Sequence, residues 1–161
     1  SQFINEVESV LRGQTGPATK AHVIRRLEEK IENDPLYGGY AIPFSFILRG
    51  ENNLDQAIKV IDKFIAAKER KNETDKQYGA ALYNKSCFLA VRHGTSKSDA
   101  DRNAALASLR KALEISESNW SYVLIDKDLD ALRGDPEFIK IIEKAPPWAR
   151  RAQPERGNPE V

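Results

Sequence analysis

The chain has one cysteine and no methionine. A single cysteine, Cys87, cannot form an internal disulfide, and this usage is typical of a reducing compartment such as the cytoplasm. Because even an initiator methionine is absent, we expect the sequence to be a processed or excised piece of a longer protein. We predict that Cys87 packs as a small hydrophobic residue rather than acting as a reactive thiol, since no neighbour in sequence would obviously lower its pKa.

Long apolar runs are also lacking, as is an excess of either charge. No run approaches the ~20 apolar residues that a membrane-spanning helix needs, so we predict no membrane partner. The first five residues lack the basic, apolar and small-residue succession of a secretory signal. The 25 basic and 24 acidic residues are interspersed, which argues against a dedicated nucleic-acid binder. A hydrophobic share of 40% in 161 residues predicts one soluble globular domain.

The sequence contains no nucleophile elbow, zinc motif or nucleotide fingerprint. The Gly38-Gly39 pair invites a phosphate-loop interpretation, but no Lys-Ser or Lys-Thr follows it, as such a loop requires. The two histidines, His22 and His93, have no Cys or carboxylate at metal-ligand spacing, so we assign both structural roles. We therefore predict no enzymatic activity, no catalytic residue, no cofactor and no metal.

One acidic segment imitates a calcium-binding loop. Asp126, Asp128 and Asp130 have the ligand spacing of such a loop, and Glu137 stands at its twelfth place. The sixth place holds Ala131, where the sharp turn needs glycine. We favour a short helix that begins near Asp128, because acidic residues stabilise a helix N-terminus.

The region from Tyr78 to Glu117 has the strongest pattern in the chain. Small or apolar residues recur at intervals of three, four and seven, which is the spacing of one helix face, first up to Gly94 and again after a polar connection. The small members of this set let two backbones approach closely, so the pattern predicts a tightly packed helical hairpin. Its residues are Tyr83, Ser86, Cys87, Ala90, Ala105, Leu109, Ala112 and Leu113.

The same periodicity predicts further helices along the chain. From residue 145 the proline and arginine content rises, and we expect an extended tail or linker there. Within this tail, Trp148 either docks onto the folded domain or marks a recognition segment. The predicted helices cover residues 3–11, 19–33, 42–50, 53–71 and 136–144, with a long loop at 95–103 between the two helices of the central hairpin.

Tyr83, Cys87, Ala90, Gly94, Ala105, Leu109 and Ala112 resemble the tetratricopeptide repeat pattern of alternating large and small positions. Residues 126–138 resemble the closing repeat of many bacterial proteins of this type. An earlier, irregular repeat places Ala41, Phe44, Ser45, Leu48, Ala57, Ile61 and Phe64 at the corresponding positions. The resemblance implies an all-α fold of antiparallel helical hairpins, stacked as a short α-solenoid over residues 1–144 and closed by a C-terminal helical cap.

In that family, one side of each first helix lines a concave groove that holds a partner peptide. The resemblance therefore implies a groove in which aromatic rings lie beside basic groups, suited to a peptide with an acidic side chain or a C-terminal carboxylate. The plainer interpretation of the same positions is a solvated helix face with one exposed phenylalanine. The groove residues predicted in this way are Phe46, Arg49, Asn84, Lys85, Phe88 and Arg92.

We accordingly expect a non-catalytic scaffold or adaptor module that binds a protein or peptide. Two alternatives stay open. One is a regulatory or sensor domain of a larger protein that binds nucleic acid, for which strong salt dependence would be the signature. The other is an enzyme whose site is assembled from residues without a recognisable motif, for which shifted pKa values in a cleft would be the signature.

Overall fold

The structure is a computed structural model that describes residues 1–151. These residues form α-helices and short 3₁₀ turns, and none of them lies in a β-strand, so the predicted all-α class is confirmed. Within residues 1–151, no helix is both long enough and apolar enough to cross a membrane. The chain divides into two compact units with a boundary between Glu73 and Thr74. The boundary predicted from the sequence, between residues 1–144 and 145–161, stays a prediction.

The first unit contains four α-helices, and short-range features of the sequence set the starts of three of them. Ser1 caps the first helix by accepting a hydrogen bond from the amide of Ile4, and Asn53 caps the fourth by accepting one from Gln56. Pro17 occupies the first turn of the second helix, where its missing N–H costs nothing. The helices are α1 Gln2–Leu11, α2 Pro17–Asn33, α3 Ala41–Gly50 and α4 Leu54–Arg70.

Helices α3 and α4 form a hairpin joined by residues 51–53. Asn52 adopts a left-handed conformation with φ 63°, which asparagine tolerates better than most residues and which reverses the chain within three residues. The positions that the sequence aligned with the later repeat are all buried in this unit. They are Ala41, Phe44, Ser45, Leu48, Ala57, Ile61 and Phe64.

The second unit begins with a long hairpin. Asp75 caps its first helix by accepting from the amide of Tyr78. The three helices that come after this hairpin are short, and 3₁₀ turns lie at residues 117–119 and 127–132. The helices are α5 Lys76–Ser96, α6 Asp99–Ile115, α7 Trp120–Val123, α8 Pro136–Glu143 and α9 Pro147–Arg151.

The connection between α5 and α6 is much shorter than predicted, so the expected long loop at 95–103 is wrong. Helix α5 continues past Gly94 to Ser96, and Lys97 then takes a left-handed conformation with φ 58°. Ser98 caps α6 by accepting from the amide of Asp101, and the His93 ring donates to the Ser98 carbonyl over 2.9 Å. The Ser-Asp-Ala-Asp sequence is a capping signal, and it outweighed the polar composition that suggested a loop.

Helices α5 and α6 pack through small residues. Ala90, Ala105 and Ala112 are fully buried, as predicted from their place in the hairpin pattern. At Gly79, a Cβ atom would lie 3.0 Å from Cγ2 of Ile115 and 3.3 Å from Cβ of Ser116, so any larger residue there would require these side chains to shift by a few tenths of an ångström. The close approach of the two helix backbones therefore depends on small side chains at the positions where they touch.

The segment after α6 closes the second unit. Val123, Leu129, Leu132 and Phe138 are completely buried and form its apolar base. Residues 147–151 form helix α9, so the expectation of an extended tail starting at Ala145 is wrong for this stretch. Ala149 is buried there and Trp148 donates from Nε1 to Glu117. The rest of the predicted tail, residues 152–161, lies outside the described part of the chain.

Overpacking tests the α5–α6 contact. We expect Ala90→Leu and Ala112→Leu each to lower the free energy of unfolding by about 1–3 kcal/mol, because the added methylenes have no space. Ala107→Leu on the exposed side of α6 is the matched control and should be nearly neutral. Chemical denaturation followed by circular dichroism gives all three values. Equal effects at Ala107 and Ala112 would show that the contact has been misplaced.

Candidate functional site

Phe88 does not line an exposed groove. Its side chain is 0% exposed, so the expectation that it offers an aromatic surface to a partner is wrong. In this stretch of α5, residues 86–90 are all buried, which means that the helix is covered on more than one side. The prediction assumed that α5 buries a single amphipathic stripe. This stretch of the helix is buried on more than one side, so that assumption does not hold here.

Arg92 is held by a neighbouring carboxylate. Its Nε and Nη2 atoms donate to the two oxygens of Asp101 over 3.1 and 2.8 Å, a bidentate ion pair. Ser96 donates to the same carboxylate over 3.1 Å. The hydrogen bonds from Arg92 lower the pKa of Asp101 below its usual value, and that from Ser96 adds to the effect. Arg92 thus holds the start of α6 against the end of α5.

The other predicted groove residues are placed as follows. Phe46 and Arg49 lie on α3 in the first unit, where Phe46 is 47% exposed and Arg49 is half-buried. Asn84 and Lys85 lie half-buried on α5 in the second unit. Asn84 lines a cavity of about 250 Å³ together with Tyr83 and the exposed Tyr122. A binding role for these four residues stays a prediction.

A larger cavity, of about 430 Å³, lies between α6 and α8, and we call it the α6–α8 groove. Leu113, Trp120 and Ile141 supply its apolar surface. Trp120 and Ile141 are themselves mostly buried, so they form the floor, while charged side chains surround the opening. The lining residues are Arg110, Leu113, Glu114, Trp120, Glu137, Lys140, Ile141 and Lys144.

The rim of the α6–α8 groove is rich in cations. Glu137 accepts from Arg110 over 3.1 Å and from Lys140 over 3.2 Å, so one carboxylate serves two cations. Lys144 extends the same rim from the end of α8 and is exposed. Sequence reasoning missed this groove, because its residues come from three helices and only the 3.6-residue period of each helix could be read from the chain.

A second cluster joins α5 to the 3₁₀ turn at residues 127–132. The Tyr83 hydroxyl donates to Asp126 Oδ2 over 2.9 Å, and Cys87 Sγ lies 3.6 Å from the same oxygen. Burial, with Asp126 adding to it, raises the pKa of both the Tyr83 hydroxyl and the Cys87 thiol. The predicted burial of Cys87 is confirmed, and a thiol that stays protonated is a poor nucleophile.

Asp126 owes its place to local structure. It caps the 3₁₀ turn by accepting from the amide of Asp128 over 3.0 Å, and its carbonyl accepts from Arg133 over 2.6 Å. Leu129 and Leu132 of that turn are fully buried, in agreement with the preference for a short helix over a calcium loop. Two carboxylates of the calcium-like pattern, those of Asp126 and Asp128, lie near the Cys87 thiol, which precedes Asp126 by 39 residues.

No family model, curated protein or solved structure matches this chain. The resemblance to tetratricopeptide repeats therefore rests on the residues quoted for it.

Phe88→Ala separates a core role from a surface role. Because the ring is completely buried, we expect the change to cost about 3–5 kcal/mol of stability. Phe46→Ala, which removes the same ring from a position 47% exposed, should cost much less. Leu109→Ala is a second buried reference. Thermal and urea unfolding of the three variants gives the comparison, and a small loss at Phe88 would return it to the surface.

Asp101→Asn tests the ion pair with Arg92. The pKa of Asp101 is lowered from 3.8, so its contribution to stability is present above about pH 3.8 and is lost as the pH falls through the lower, folded value. At neutral pH we expect a loss of about 1 kcal/mol, a modest figure because Arg92 is partly solvent-screened. Asp99→Asn, an exposed carboxylate in the same turn, is the control. A pH-independent difference between Asp101→Asn and the parent protein would contradict the ion-pair account.

Proposed function

We propose that this chain is a non-catalytic protein-interaction module whose α6–α8 groove binds a peptide segment. The segment we infer carries a large apolar side chain beside an acidic side chain or a C-terminal carboxylate. The observation that carries the proposal is the combination, in one cavity, of an apolar floor with a rim on which cations outnumber carboxylates. A cytoplasmic location is part of the proposal and is supported by the single cysteine.

The floor of the groove suits an apolar side chain. Its volume of about 430 Å³ falls within the ~300–1,000 Å³ range typical of ligand pockets. Trp120 is 8% exposed, so it offers the edge of a rigid ring that loses little conformational freedom on binding. Leu113 and Ile141 bound the same floor, so a leucine or phenylalanine of the partner would exchange water for carbon contacts.

The rim suits an anion. Three cations, Arg110, Lys140 and Lys144, stand against two carboxylates, Glu114 and Glu137. Glu137 already receives hydrogen bonds from Arg110 and Lys140. A partner carboxylate near Lys144 would add a charge-assisted hydrogen bond without breaking either of these. The proposed partner still carries the acidic group expected from the sequence. Its binding place is now the rim of the α6–α8 groove instead of the face of α5.

We further propose that α3–α4 and α5–α6 are repeats of the tetratricopeptide type. The support is that the aligned positions of both hairpins are buried, including the small residues Ala41 and Ala57 in one and Ala90 and Ala112 in the other. The arrangement of such repeats as an α-solenoid, with residues 117–143 as the cap, stays a prediction of the resemblance.

Display selection with the full chain tests the binding proposal. A random peptide library with free C-termini should yield sequences that combine a large apolar residue with a carboxylate, and fluorescence anisotropy of these peptides gives their affinities. We expect Lys144→Glu to weaken binding about tenfold, equivalent to ~1.4 kcal/mol, and to do so more at low salt. Leu113→Ala should also weaken binding by shrinking the apolar contact.

Lys127→Glu is the matched control, because it makes the same charge change at an exposed position that does not line the groove. It should leave the affinity of the selected peptides unchanged. Equal losses for Lys127→Glu and Lys144→Glu would mean that net charge, not the groove, governs binding. Failure to select peptides, together with steeply salt-dependent binding of an oligonucleotide, would favour the nucleic-acid alternative and overturn the proposal.

A further inference from the structure

We propose that Cys87, Asp126 and Asp128 form a binding site for one divalent cation of the zinc class. The ligand atoms of these three residues, one sulfur and two carboxylate oxygens, lie within 4.8 Å of one another. Cys87 comes from α5, whereas the two aspartates come from the turn that follows α7, so the tertiary fold brings them together. This inference is independent of the peptide-binding proposal, because none of the three residues lines the α6–α8 groove.

The spacing of the ligand atoms agrees with tetrahedral coordination. Zinc binds a thiolate sulfur at about 2.3 Å and a carboxylate oxygen at about 2.0–2.2 Å, which places the two ligand atoms about 3.6 Å apart at a tetrahedral angle. Cys87 Sγ and Asp126 Oδ2 are 3.6 Å apart. The distance between these two atoms would therefore change little when a zinc ion binds both. Asp128 would supply the third ligand.

The carboxylate of Asp126 is already held in place. Tyr83 donates to its Oδ2 over 2.9 Å, and the amide of Asp128 donates to its Oδ1 over 3.0 Å. Metal-binding carboxylates are commonly hydrogen-bonded in this way, and such outer contacts fix the orientation of the ligand. Tyr83 is thus a positioning residue of the proposed site.

The donor set selects the type of cation. Calcium and magnesium prefer oxygen ligands alone, whereas a thiolate favours zinc and similar ions. Asp126 also lines the open cavity of about 250 Å³ beside Tyr122, so water can reach the cation and complete four-coordination. On binding, the Cys87 thiol loses its proton to solvent and the sulfur bonds the metal, so one proton is released for each cation bound.

Cobalt is the probe for this site, because a Co²⁺–thiolate bond gives a charge-transfer absorption that carboxylates and histidines do not give. Titration of the full chain with Co²⁺ should produce this absorption at one ion per chain, and added Zn²⁺ should abolish it. Cys87→Ser should remove the absorption while placing a smaller hydroxyl, which can still donate a hydrogen bond, near Asp126. Circular dichroism and cooperative melting show whether the variant is folded.

Asp128→Asn supplies a second arm that does not depend on the thiol. We expect it to weaken Co²⁺ and Zn²⁺ binding by about tenfold or more. Asp130→Asn, which removes an exposed carboxylate of the same turn outside the cluster, should leave binding unchanged. Absence of the thiolate absorption in the parent chain would show that Tyr83, Cys87 and Asp126 form a hydrogen-bond network only. Equal metal affinity in the parent and Asp128→Asn proteins would also overturn the proposed site.

Discussion

The second unit depends on the close approach of α5 and α6. Two helices can come this near only where side chains are small, and Ala90, Ala105 and Ala112 meet that condition by being fully buried without filling space. Gly79 contributes to the same approach, because a Cβ atom there would lie 3.0 Å from Cγ2 of Ile115 and would require that side chain to shift. Arg92 and Asp101 then hold the connected end of the hairpin, beside the 97–98 turn, with a bidentate ion pair.

The closing segment is fastened to this hairpin by polar contacts over an apolar base. Leu129, Leu132 and Phe138 supply the burial, which is non-directional and does not by itself fix the orientation of a short turn. Asp126 supplies the direction, because its side chain accepts from Tyr83 on α5 while it caps its own turn. Asp126 thus both orients the turn and belongs to the proposed cation site.

The two proposed sites use the second unit in different ways. The α6–α8 groove is open, with an apolar floor and a charged rim, and a partner would gain contact area and a hydrogen bond there. The Cys87 cluster is a small polar site beside an open cavity of about 250 Å³, and its three closely spaced ligand atoms suit an ion rather than a side chain. Separate variants can therefore test the two, since the groove residues and the cluster residues do not overlap.

The sequence alone determined the helical class, most of the helix starts and much of the core. These features depend on local chemistry: Asn53 and Asp75 cap because of their short acceptor side chains, and the period of apolar residues shows which side of a helix is buried. Only the tertiary structure decided that Phe88 is covered and that Cys87 meets Asp126 across 39 residues. The period of one helix shows one buried face, but whether a second face is also covered depends on elements distant in sequence, which no local pattern records.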